Sequence, residues 1–421
     1  MRYVFNSLDF TYAGAFNPVT GSRPVGGSGP DVNSGEYTAD RMLAITPDGH
    51  LLSTGNDKGT SGNFHIAKFE IPSNLSLSDD ASDLSVSDVV QGYRTTKGAD
   101  RDLSNETIRG LYVDPVSGKI IIGMGTYYGD GTETNNVKVF SSNTDLTNAT
   151  IAGSFEMPGD ARTGGYTIPI PAEHQDKFEG NDHFFGCATN GPIVSTLSMG
   201  PSLYAFTMSN LTSATTAGSQ ISAIAATDYP YGETTMLCSS ISGLFTDRIW
   251  NFLSSIYGGF FISGTDSIIF IGQNWDGRGT IEYKGTNDQG VTAGGYAPSL
   301  HDAWENYYWL YDVNDIKRGY DGDVNPWDIE PYDHGTFPKY TFMSNELPNL
   351  EIRKKLVKGV AFDSSNDHLY LSVQNGGDSI SPGRDVIVRL DASFSQSPPL
   401  ITLQPENKTV KEGAEYTFRV V

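Results

Sequence analysis

The sequence predicts an all-β fold: a single β-propeller of five four-stranded units, or of six or seven if the irregular third region hides another. Three observations predict it. The stretch from Val357 to Ser393 reads as strand, tight turn at Asp363–His368, strand, longer loop and strand. Apolar residues alternate in each run, pairing Val360 with Phe362, Leu369 with Leu371 and Val386 with Val388 on one face. The unit recurs, with inner strands starting near residues 41, 108, 183, 257 and 357 and insertions concentrated in loops. The fifth unit lacks its own fourth strand, while an orphan strand stands at Leu8–Phe16. Pairing that strand into the last unit closes the ring and leaves no unprotected edge, which favours a propeller over a long sandwich.

Each element has a local reason. Leu8–Phe16 alternates as one strand and is followed by a Gly/Pro/Ser loop from Asn17 to Gly35. The first unit turns at Pro47-Asp48-Gly49, where proline presets φ and glycine accepts a positive value, and ends at Pro72. A fourth strand is expected at Asp88–Arg94 beyond a polar linker, Ser73–Asp83. The second unit runs from Ile108 through a Gly/Asp/Asn loop to a fourth strand at Ile151–Met157. The third is placed at Asp182–Asn210, with its inner strand starting near residue 183. The fourth opens at Gly258-Gly259, carries a long insertion from Asn274 to Glu305, and closes with Asp333–Phe342.

Composition bounds the class. The 421 residues suffice for one large β-domain or two to three ordinary ones. The 47 Gly, 22 Tyr and 21 Phe with 19% charged residues describe a loop-rich, aromatic-rich β-protein. The 38% hydrophobic content, spread through regular strands, argues for a packed core and against disorder. A formal charge of -22 repels phosphate backbones and anionic membranes, so nucleic acid is not an expected partner. No apolar run approaches ~18 residues, so no membrane insertion is expected. Cys187 and Cys238 are the only cysteines, too few to staple the fold. The N-terminus lacks a basic-then-apolar secretory pattern. The expectation is a trimmed signal or another exit from the cell, such as lysis.

Loops between the second and third strands, and between successive units, gather on one face of a propeller, where ligands are expected. The longest, Asn274 to Glu305, holds Trp275, Asp276, Arg278, Tyr283, Tyr296, His301 and Trp304. Aromatic platforms beside Asp, Asn and Arg suit sugars, whose apolar faces stack on rings and whose hydroxyls need polar partners. The competing reading is that Trp275 and Trp304 pack the insertion onto its scaffold. Tyr127, Tyr128 and Asp130 offer a similar mix in the second unit, and Asn375 borders the fifth unit's loop. Asp321, Asp323 and Asn325 place oxygen ligands at alternate positions, as in the head of a calcium loop. Pro326 and Tyr332 stand where such a loop needs glycine and glutamate, so a solvated acidic turn competes with a structural calcium, and no other cofactor is expected. If the chain is an enzyme, Asp40, Glu106 and Asp182 are the carboxylates at expected inner-strand starts, since glycosidases need two about 5–9 Å apart. A lyase would draw on His183, His301 and Tyr128.

Several phrases resemble a family of large propeller-like proteins encoded by environmental bacteria and marine phages. They are TYAGAF, AKFEIP, YTIPIPAEHQDKFEG, GPSLYAFTMSNL, YYWLYDVNDI with NPWDIEPYDHGTF, and GVAFDSSNDHLYLSV, in that family's order and spanning nearly all of residues 1–397. The resemblance implies fold and setting, not mechanism. The chain departs from it at Gly186-Cys187-Ala188 and Ser195-Thr196-Leu197-Ser198. After Pro398 the sequence resembles the opening of a bacterial or phage immunoglobulin-like domain: Pro398-Pro399, Ile401 to Val410, Glu412-Gly413 and Tyr416 to Val420. Such a domain needs about 100 residues, so 398–421 is expected to be only its first strands.

The expected role is a non-enzymatic recognition or display module on a virion surface or cell exterior. It would bind a glycan or partner protein, with other chains of a larger assembly as further partners. A hydrolase or lyase acting on polysaccharide is the alternative, and a purely architectural part of an assembly is the second.

Overall fold

A computed structural model describes residues 7–16, 39–55, 64–69, 71, 89–95, 106–126, 136–143, 150–159, 163–188, 198–230, 237, 243–293, 295–337, 355–375 and 386–395. These residues form five four-stranded antiparallel sheets and one two-stranded hairpin. After β1 (Ser7–Phe16), the first sheet is β2 (Ala39–Ile45), β3 (Leu51–Gly55), β4 (Phe64–Phe69) and β5 (Val89–Thr95). The second is β6 (Glu106–Val113), β7 (Ile120–Thr126), β8 (Val137–Phe140) and β9 (Ile151–Phe155). The third is β10 (Thr167–Pro169), β11 (His183–Phe185), β12 (Leu203–Phe206) and β13 (Ile224–Thr227). The fourth begins with β14 (Ser255–Phe261) and β15 (Ser267–Trp275). The hairpin β16 (Ile281–Tyr283) and β17 (Tyr296–Pro298) follows, then β18 (Trp304–Asp312) and β19 (Asp333–Thr336) complete that sheet. The last is β20 (Lys355–Asp363), β21 (His368–Asn375) and β22 (Val386–Ser395), with β1 as its fourth strand. Ser7 lies opposite Ser395 and Phe16 opposite Ile387, so the orphan strand pairs where expected.

Five hydrophobic clusters fill the seams between neighbouring sheets in cyclic order. Met42 and Leu52 meet Leu111 and Ile122 between the first and second sheets. Val139 and Phe155 meet Phe185 and Phe206 between the second and third. Phe184 and Leu203 meet Phe270 and Trp309 between the third and fourth, the largest cluster. Ile269 and Ile271 meet Leu369 and Leu371 between the fourth and fifth, and Leu43 and Leu51 meet Tyr370 and Ile387 between the first and fifth. The first strands of the sheets touch in the same cyclic order, β20 to β2, β6, β10, β14 and back to β20. The protein is therefore all-β and built of propeller-type sheets.

Three first strands share a local device. β6 slips register between Ile108 and Gly110, β14 between Ile256 and Gly258, and β20 between Val357 and Gly359. Each bulge inserts one residue, Arg109, Tyr257 or Lys358, and places a glycine after it. At Gly110 the need is steric, since a Cβ there would stand 1.7 Å from the carbonyl oxygen of Gly165.

The third sheet departs from expectation. Its first strand is β10, not the stretch near residue 183; His183–Phe185 is its second strand. Between them lie α1 (Ala172–Gln175) and a single 3-10 turn, Asp176–Phe178. Two further helices, α2 (Met208–Thr212) and α3 (Val313–Tyr320), follow β12 and β18. Among the described residues no helix is long and apolar enough to cross a membrane.

Candidate functional site

The fourth sheet's insertion is the most elaborate connection among the described residues. β15 and β18 run in register up to their final pair, Trp275 opposite Trp304. Trp275 is buried, and its indole Nε1 donates to the carbonyl of Arg278 at 2.7 Å. Trp304 is half-buried against the cluster between the third and fourth sheets. Both rings expected to meet ligand therefore form the floor of the insertion.

Charged groups brace the walls. The Asp276 carboxylate accepts from the Arg278 backbone at 2.8 Å and from its Nε at 2.7 Å, and Arg278 Nη2 reaches the Asp302 carbonyl at 2.9 Å. The Asp276 carboxylate first, and the Asp302 carboxylate after it, raise the Arg278 pKa. Asp288 accepts from the His301 backbone at 2.8 Å and faces its Nδ1 at 2.9 Å. The backbone bond and the ring together lower the Asp288 pKa. Asp276 and Asp302 thus hold Arg278, and Asp288 holds His301, so each of these side chains braces the loop.

The residues that remain outward are on the hairpin. Tyr296 stacks on Phe252 with centroids 3.8 Å apart and planes 6° apart, and Tyr283 packs on Tyr296 at 5.2 Å. Tyr283 stays 42% exposed, and Val291, in the loop between the hairpin strands, is 61% exposed. Lys284 adopts a left-handed φ of 54° and lays its Nζ 5.3 Å from the Tyr283 ring centroid. Tyr283 and Tyr296 were legible as part of the aromatic set. Lys284 carried no signal, because its conformation depends on the hairpin turn.

Beside the insertion, Glu305 accepts from Arg248 Nη2 at 2.7 Å and Thr336 Oγ1 at 2.8 Å. Burial, first among the influences on it, raises its pKa. Two residues along β18, the Tyr307 hydroxyl meets His334 Nδ1 at 2.8 Å. Burial pushes the Tyr307 phenol up to about 12 and the His334 imidazole down. Sequence reasoning passed over this group, although Glu305 and Tyr307 share one face of a strand by simple alternation.

A second constellation spans the seam between the second and third sheets. His183 Nδ1 faces Asp182 Oδ1 at 2.8 Å, and its Nε2 faces the Tyr112 hydroxyl at 2.9 Å. Asp182 also accepts from the Met208 backbone at 2.7 Å, at the start of α2. Burial raises the Asp182 pKa, but His183 and this backbone N–H outweigh it and leave it lowered. Desolvation raises the Tyr112 pKa far above the ordinary phenol value. The order carboxylate, imidazole, hydroxyl is that of a proton relay.

Tyr127, Tyr128 and Asp130 lie outside the described residues, as does 398–421; Asn375 ends β21, Asp40 lies in β2 and Glu106 starts β6. Tyr112, and with it Asp182, is near the far end of β6 from Glu106, about 20 Å along the strand at ~3.3 Å per residue. Asp321 ends α3 in an ion pair with Lys317. The Asp323 backbone donates to the Arg318 carbonyl at 2.9 Å, and Asn325 donates to Asp328 at 2.7 Å. This stretch is a helix terminus, and among the described residues no three His, Cys, Asp or Glu side chains gather as a metal site.

No protein-family model and no curated protein matches the chain. Several solved structures are similar to it. Hydrazine synthase of Kuenenia stuttgartiensis is 10% identical with a TM-score of 0.31 over 79% of this chain and 61% of its own. The chain thus spans less than two thirds of that protein. The WD40 repeats of RRP9 are 10% identical with a TM-score of 0.29, over 83% of this chain and 79% of theirs. A Lactobacillus plantarum protein is 9% identical with a TM-score of 0.27, over 86% and 87%. A propeller-type fold fits a binding or scaffold role, and function must be argued from its sites.

Proposed function

We propose that the five sheets close into one five-bladed propeller, and that the chain is a non-enzymatic recognition or display module of a virion surface or cell exterior. It binds a glycan or partner protein through the insertion between β15 and β18, and residues 398–421 begin an immunoglobulin-like domain. One observation carries this reading. The insertion is braced by Asp276, Arg278, Asp302 and the Asp288–His301 pair, and stacked on Phe252, yet Tyr283 and Val291 remain exposed. A pre-ordered loop offering an aromatic face loses little entropy on binding. Lys284 over Tyr283 supplies donors beside the ring for sugar hydroxyls. The test is a glycan array probed with the purified chain, with and without calcium, followed by titration of every hit. Binding lost in Tyr283→Ala supports the reading. Silence on all glycans, or hits indifferent to Tyr283→Ala, overturns glycan recognition by the insertion and leaves a partner protein or the architectural role standing.

A second reading, an enzyme acting on polysaccharide, is favoured by the Asp182–His183–Tyr112 chain, in which an oriented imidazole faces a hydroxyl. Shortened or unsaturated products from an array hit, lost in His183→Gln, would establish it in place of the first.

A further inference from the structure

We infer that the glycan taken by the insertion is acidic: the exposed ring of Tyr283 receives the apolar face of a hexuronate, and the ammonium of Lys284 receives its carboxylate. The inference rests on the reading of the insertion as a glycan site.

The backbone is bent to bring these two side chains together. Lys284 directly follows β16, and continued strand geometry would put it on the face of Glu282, two residues before it. Its left-handed φ of 54°, unfavourable for a residue with a side chain, turns it back instead, and its Nζ stands 5.3 Å from the Tyr283 ring centroid. Backbone bonds hold the bend, from the Lys284 N–H to the Gly295 carbonyl at 2.8 Å and from the Ala293 N–H to the Gly285 carbonyl at 3.0 Å. Glu282 is engaged elsewhere: its carboxylate accepts from Thr280 Oγ1 at 2.9 Å and lies close over Gly285.

Residues 274–305 contain three basic side chains, Arg278, Lys284 and His301. Arg278 is taken by Asp276 and Asp302, and His301 by Asp288. Of the three, Lys284 has no carboxylate within ion-pair distance among the described residues, in a chain with 50 acidic residues. An ammonium within about 6 Å of a ring centroid is drawn to the π-face, so ring and cation hold each other in place before a ligand arrives. A neutral sugar offers that ammonium only hydroxyls. A hexuronate carries a carboxylate on the rim of the same ring that stacks, and a charge-assisted bond to it is about twice as strong as a neutral one. The net charge of -22 opposes anions at long range, so the preference is a contact effect and is read against a matched neutral ligand.

The test is an array on which each uronate-containing oligosaccharide stands beside its methyl ester, which keeps the sugar and removes the charge, with the full chain titrated against every hit. The acid is expected to bind the wild type at least fivefold more tightly than the ester. That preference should vanish in Lys284→Met with the ester's affinity unchanged, and Tyr283→Ala should lose both ligands. Lys284 is exposed, so its replacement leaves the fold intact. Equal binding of acid and ester, or an acid preference that survives Lys284→Met, overturns the inference, and binding that still needs Tyr283 then leaves the glycan reading in place. Absence of binding to every glycan, acidic or neutral, removes that reading and the inference with it.

Discussion

The Tyr112 hydroxyl and His183 Nε2 stand 2.9 Å apart across the seam between the second and third sheets. A carboxylate can only accept, so the Asp182 bond places the imidazole proton on Nδ1 and leaves Nε2 to accept from Tyr112. The phenol thus ties two sheets through one ring. Tyr112→Phe strands a buried acceptor and is expected to destabilise the fold by about 1 kcal/mol, read as a lower urea midpoint at unchanged slope. An unchanged midpoint would mean that water replaces the phenol.

Acid titration gives a second prediction. Lys68 is 5% exposed at its side chain and pairs with Asp48 at 2.6 Å. Burial pushes the Asp48 pKa up, but bonds from Lys68 and Thr46 prevail and hold it at about 2, against 3.8 ordinarily. A carboxylate whose folded pKa is depressed stabilises above its unfolded pKa, and that contribution is lost as pH falls through the folded one. Asp48→Asn should therefore lower Tm at neutral pH by the equivalent of about 1 kcal/mol, discounted because Asp48 is 45% exposed. The difference from wild type should fade between pH 3.8 and about 2. A gap that persists at the acid end would remove the carboxylate as its cause.

Glycine substitutions should split by position. Gly110→Ala drives a Cβ to 1.7 Å from the Gly165 carbonyl, between β6 and the segment leading into β10, and is expected to cost about 3 kcal/mol or more. Gly180→Ala meets no atom within 4 Å and suffers only the strain of φ 81°, about 1 kcal/mol. Chemical denaturation of both variants ranks them, and equal losses would contradict the close approach of Gly110 to Gly165.

Within the insertion, stability and recognition should separate. Trp275→Ala empties a buried indole site and is expected to cost about 3–5 kcal/mol. Tyr283→Ala removes an outward ring and should stay within about 0.5 kcal/mol of wild type. Thermal melts of the pair show whether Trp275 is floor or platform.

The strand repeat was legible because alternation survives wherever one face of a strand is buried, as in β20 and β21. β10 was not, because three residues ending in Pro169, with Pro171 close behind, carry no alternation and read as loop. At the insertion, residue types pointed to the right segment, but the inward turn of Trp275 follows from its pairing opposite Trp304, which no spacing reveals. Tyr112 lies far from His183 in sequence, so only folding joins them. The bulges could have been read directly: Ile108-Arg109-Gly110, Ile256-Tyr257-Gly258 and Val357-Lys358-Gly359 repeat one pattern.

The pairing of β1 with β22 carries a consequence for biosynthesis. Ser7 leaves the ribosome long before its partner Ser395 is synthesised. Throughout that interval β1 must wait without its strand partner, because its destined neighbour does not yet exist. The last sheet is therefore the final one to be completed, and a ribosome that stalls late would leave β20, if already out, without its closing partners, and β1 as an adhesive edge.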